Sequence, residues 1–68
     1  MVEVFKTNIE TNEEAVQIRN LLLELFPNCQ INFDLDDCDR VLRIEGTVSS
    51  AEVVELVKEH SYRCEVLE

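Results

Sequence analysis

Sixty-eight residues of 7.9 kDa, 46% hydrophobic and 31% charged, specify one globular unit, residues 1–68, with no room for a second. Scaling for this mass gives about 4,400 Å² of folded surface against about 11,500 Å² unfolded, enough for one thin core. Fifteen acidic against six basic residues give a net charge of −9, which repels nucleic acid and anionic membrane surfaces and excludes both as partners.

The first strand is predicted over Val2 to Thr7. Its alternation is ambiguous, because Val2 and Val4 fit one face and Phe5 the other; a strand covered on both sides and a bulge near the following loop both account for this. The start, Met1 to Lys6, has neither the basic segment nor the long apolar stretch of a signal peptide, so a cytoplasmic location is expected. The first helix opens on a capping box, Thr11 with Glu14, and Glu13 and Glu14 suit the positive end of its dipole. Ala15, Ile18, Leu22 and Leu25 follow at spacings of three and four, widened by Leu21 and Phe26. Leu21-Leu22-Leu23 is the longest apolar run, far too short to span a membrane. Pro27-Asn28 ends the helix, since the residue before a proline is pushed out of the α region.

The second strand alternates cleanly: Cys29, Ile31, Phe33 and Leu35 point one way, and Gln30, Asn32 and Asp34 the other. Asp36-Asp37-Cys38-Asp39 is a turn by composition. In the returning strand Leu42 and Ile44 face the core, Val41, Arg43 and Glu45 face out, and Gly46 closes it. A second capping box, Ser49 with Glu52, opens a helix that buries Val53, Val54, Leu56 and Val57 and carries His60 in its last turn, against the negative end of the dipole. The last strand, Tyr62 to Leu67, sets Tyr62, Cys64 and Val66 on one face. Two strand–helix–strand units in this order predict an α+β, ferredoxin-like split βαβ fold (βαββαβ), a four-stranded antiparallel sheet of order 4-1-3-2 with both helices on one face. That order gathers the loop after the first strand, the acidic hairpin and the segment His60 to Arg63 at one end.

With these residues in place, the whole chain resembles the heavy-metal-associated, copper-chaperone-like family. Leu22-x-x-Leu25-Phe26-Pro27-Asn28-Cys29 is similar to that family's helix ending in Leu-Pro-Gly-Val, Ser61-Tyr62 to its Gly-Tyr, and Tyr62 to Val66 to its last strand, with Cys64 at a small core position. The resemblance implies a Met-x-Cys-x-x-Cys motif in the first loop, whose thiolates hold Cu(I) or a similar soft ion. Here the loop reads Thr7-Asn8-Ile9-Glu10-Thr11-Asn12, and the two sulfurs would fall near Asn12 and Ala15. Neither residue replaces a thiolate, so metal transfer by the family mechanism is not expected and no cofactor is predicted.

Cys29 and Cys64 lie on apolar strand faces, where a free cysteine acts as a small hydrophobe. An altered metal site would draw on Cys38, Asp36, Asp39 and His60 at the shared end. However, the second and fourth strands are opposite edges, expected to hold these groups more than about 10 Å apart. The run Asp34-x-Asp36-Asp37-x-Asp39, with Glu45 at its twelfth position, lacks the glycine that a calcium loop needs at position six and crosses a hairpin, so it reads as a solvated acidic turn. A lone histidine and one glycine supply neither a catalytic pair nor a phosphate loop, and no enzymatic activity is expected.

The first helix is apolar over about 220° of its wheel, because Val16 and Leu23 lie outside the stripe facing the sheet. They either cover the seam between the helices or form a protein contact, to a partner or in a homodimer; with a charge of −9, a partner would be basic around an apolar centre. The expected function is a non-catalytic interaction or adaptor module. The alternatives are a metal binder using Cys38 and His60, and a sensor holding a small molecule at a dimer interface.

Overall fold

The computed structural model describes residues 1–67. It runs β1 (Val2–Thr7), α1 (Asn12–Leu25), β2 (Gln30–Asp34), β3 (Val41–Glu45), α2 (Ser50–Glu59) and β4 (Cys64–Val66). The strands form one antiparallel sheet in the order β2-β3-β1-β4, the ferredoxin-like topology expected from the sequence. Its surface of 4556 Å² is close to the value that mass scaling gives. The core is Phe5, Ile9, Ala15, Ile18, Leu22, Ile31, Leu42, Ile44, Val53, Val57 and Cys64.

The ambiguity of β1 resolves through its pairing. Its register against β3 runs unbroken from Val2 opposite Glu45 to Lys6 opposite Val41, so there is no bulge. Phe5 and Thr7 are buried on the helix side, whereas Val2 is exposed and Val4 half-buried on the other. The strand is thus apolar on both faces while only one is covered.

Both helix starts are capped, but unequally. At α1 the Thr11 hydroxyl accepts from the Glu14 amide at 3.1 Å and the Glu14 carboxylate accepts from the Thr11 amide at 3.1 Å, a complete capping box. At α2 the Ser49 hydroxyl accepts from the Glu52 amide at 3.4 Å. The return bond from Glu52, expected from the sequence, is not made among the described residues; Glu52 turns instead into a groove between the helices.

Helix α2 ends in a Schellman motif. The Tyr62 amide donates to the Val57 carbonyl at 3.3 Å and the Ser61 amide to Lys58 at 3.0 Å, around Ser61 in the left-handed region (φ 69°). This explains why β4 is shorter than the predicted Tyr62–Leu67. The Tyr62 amide belongs to the helix end, and the Arg63 amide donates to Asn8 Oδ1 at 2.7 Å, so neither serves the ladder. Gly46 (φ 131°) closes β3 where an added Cβ would come within 2.6 Å of Cys29 Sγ. Among the described residues no helix is long and apolar enough to cross a membrane.

Candidate functional site

The end of the sheet that carries the β1–α1 loop is held by an internal network. The Thr7 hydroxyl donates to the Arg40 carbonyl at 2.6 Å and accepts from the Ile9 amide at 3.2 Å, while the Thr7 amide donates to Asp39 O. Asn8 holds the segment before β4 through the Arg63 amide. Ile9, in the middle of the loop, is fully buried. The Glu14 carboxylate accepts from the amides of Glu10 and Thr11 and from the Tyr62 hydroxyl at 3.0 Å, joining the start of α1 to the end of α2. The Tyr62 bond, followed by the two amides, holds the Glu14 carboxyl below the usual carboxylate range, and the same bond pushes the Tyr62 phenol up. Asn12 is exposed and Ala15 buried at the positions where the resemblance places sulfur. The loop therefore turns Ile9 inward and ties Thr7 to the start of β3 and Asn8 to the approach of β4.

The acidic hairpin stands beside this network. Asp37 Oδ1 accepts from the Asp39 amide at 2.8 Å, the Arg40 amide donates to Asp37 O, and the Arg40 guanidinium donates to Leu35 O, fixing a turn in which Arg40 takes a left-handed conformation (φ 48°). Asp37, Cys38 and Asp39 place their potential ligand atoms within 4.8 Å of one another, the one such group of three among the described residues. Asp36 and His60, the other members of the quartet drawn from the sequence, fall outside it. His60 caps α2, with Nδ1 2.8 Å from the Leu56 carbonyl, a contact that requires the proton on Nδ1. Asp39 also lies 3.7 Å from Lys6 Nζ, the one ion pair among the described residues.

The cysteines divide by environment. Cys64 is 2% exposed, and its thiol is pushed up to about 11, by burial first, against a smaller opposing pull from Lys58. Cys29 is half-buried, packed against the core and weakly bonded to Thr47 O at 3.8 Å. Cys38 is exposed on the hairpin.

The two flanks of α1 differ from the sequence reading. Val16 is exposed, as expected, but it does not cover the seam between the helices. It lies on the opposite flank, in a shallow depression with Arg19, Ile31, Asn32 and Phe33 above the edge strand β2. Arg19 Nε donates to the Ile31 carbonyl at 3.0 Å and so occupies part of that open edge. Leu23, about 20° from Val16 on the helical wheel, is half-buried and packed against the core; it contributes to folding after all. Leu25, expected in the buried stripe, is instead 53% exposed. It faces α2 across a groove of about 280 Å³ lined by Ala51, Glu52, Glu55, Leu56 and Glu59. Leu56 and the small Ala51 are the apolar residues α2 offers there, too little to close over Leu25. The spacing of Leu25 from Leu22 and Ile18 could not reveal this, because it depends on what the neighbouring helix presents.

No family model, no curated protein and no solved structure matches the chain.

Proposed function

We propose that the chain is a non-catalytic protein-interaction module, a ferredoxin-like domain of the heavy-metal-associated kind whose first loop has exchanged thiolate chemistry for internal hydrogen bonds. The observation that carries this reading is on α1. Val16 and Leu25, each 53% exposed, flank the buried stripe on opposite sides, and sheet packing asks neither of them to be apolar. The loop supports the same reading from the other side: Ile9 is buried and Thr7, Asn8 and Glu14 are all bonded within the protein, leaving no set of soft ligands at the family's position. The altered metal site through Cys38 and His60 draws less support, because His60 is outside the Asp37–Cys38–Asp39 group.

Two measurements test the proposal. Competition of the reduced protein against a Cu(I) chelator should show no stoichiometric retention of the ion; tight retention of one ion would restore a metal function. Proteins captured from host-cell extract on the tagged chain should be lost with Val16→Glu or Leu25→Glu, with circular dichroism unchanged. Capture that is indifferent to both substitutions would remove α1 as the contact surface.

A further inference from the structure

We propose that the groove between α1 and α2 is a docking site for a basic amphipathic segment of a partner protein. An apolar side chain of that segment sits on Leu25 and Leu56, and flanking lysines or arginines meet Glu52, Glu55 and Glu59. This inference rests on the interaction reading above and adds which surface is used and which partner chemistry it takes.

Of three carboxylates on one face of α2, Glu52 sits in the first turn, where the helix dipole favours it, but Glu55 and Glu59 have no such compensation. Glu52, Glu55 and Glu59 stand three and four residues apart, so their carboxylates are neighbours on one helix face and repel. Glu59 also lies in the last turn, where a negative charge meets the negative end of the helix dipole. None of the three has a salt-bridge partner among the described residues, where the one ion pair is Lys6 with Asp39. Lys58, the basic residue of that turn, makes no ion pair with any of them among the described residues. These carboxylates wall a groove whose floor includes an exposed leucine. A helix with apolar anchors at three- and four-residue spacing and cations beside them relieves the repulsion and covers the leucine in one step.

Other occupants fit less well. A second copy of this chain brings another −9 of net charge to the groove. The groove is a shallow surface depression that encloses little of a small molecule, but it is suited to anchoring side chains of a larger partner.

The test uses two synthetic helical peptides on the isotope-labelled protein. One carries leucines at i, i+3, i+4 and i+7 with lysines elsewhere, and the other has glutamates in place of the lysines. The lysine peptide should shift the amide resonances of Leu25 and residues 51–59, bind more weakly as salt rises, and outcompete the glutamate peptide. Leu25→Gln, and separately Glu52→Gln/Glu55→Gln/Glu59→Gln, should each weaken it by about ten-fold or more. A control, Asp34→Asn/Glu45→Gln/Glu65→Gln, removes the same charge from the open sheet face and should change binding by less than about two-fold. Equal losses in the two triple variants, resonance shifts elsewhere on the surface, or no binding at all would overturn the groove. The interaction reading fails separately, when capture from extract ignores both Val16→Glu and Leu25→Glu.

Discussion

The two ends of α1 sit in opposite electrostatic situations. At its start, the Glu14 carboxylate collects three donors, Thr7 and Asn8 tie the loop to β3 and to the approach of β4, and Ile9 fills the core beneath. At its other end Leu25 stands in water beside three glutamates that no cation neutralises among the described residues. Thr7, Asn8 and Glu14 at the first end are bonded within the protein, whereas the other end leaves an apolar side chain and three glutamates exposed to water.

The largest expected effect separates the two regions directly. Ile9→Ala should destabilise the protein by about 2–4 kcal/mol, a large share of the total for a domain this small, whereas Leu25→Ala should stay within about 0.5 kcal/mol. Urea unfolding of both variants measures it, and comparable costs would erase the contrast. Next in size are the cysteines. Cys64→Ser puts a hydroxyl among buried apolar groups and should cost about 1–3 kcal/mol; Cys38→Ser, on the exposed hairpin, should be nearly neutral. In the folded protein iodoacetamide should modify Cys38 and spare Cys64, whose thiol burial holds near 11. A smaller effect, of opposite sign, is expected at Ser61. Its left-handed backbone strains any residue with a Cβ, so Ser61→Gly should stabilise by about 0.5–1 kcal/mol, read as a higher urea midpoint at unchanged slope.

The smallest effect sharpens the description of the loop network. Glu14 has its folded pKa lowered, so its contribution to stability is complete above the ordinary value of 4.5 and is lost as pH falls through the lowered one. Tyr62, with its pKa raised, contributes below the ordinary 10.0 and loses that contribution as pH climbs through the raised value. Tyr62→Phe removes the largest influence on Glu14, so the Glu14 carboxyl resonance should titrate at higher pH than in the parent protein. An unmoved titration would mean that the backbone amides alone hold the carboxylate.

What was legible in the sequence was whatever depends on residues a few positions apart. The Thr11–Glu14 box, the proline stop at Pro27, the clean alternation of Ile31 to Leu35 and the faces of Leu42 and Ile44 all follow from helix and strand periods, and their order implies the sheet. Cys64 could be placed in the core by the same rule. Ile9 could not, because a single apolar residue in a loop has no period; its burial follows from Thr7 and Asn8 drawing the loop down onto the sheet. Leu23 and Leu25 were ranked the wrong way round: the helical period puts Leu25 in the α1 stripe and Leu23 outside it, whereas Leu23 packs against the core and Leu25 is exposed. The small Ala51 and the glutamates of α2 leave Leu25 uncovered. Periodicity assigns a residue to a face of its own element, but how far that face is covered depends on the neighbouring element. That is why the folding units, and with the strand order the expected separation of His60 from Cys38, were legible in the sequence, while the loop network and the acidic groove were decided only by the tertiary structure.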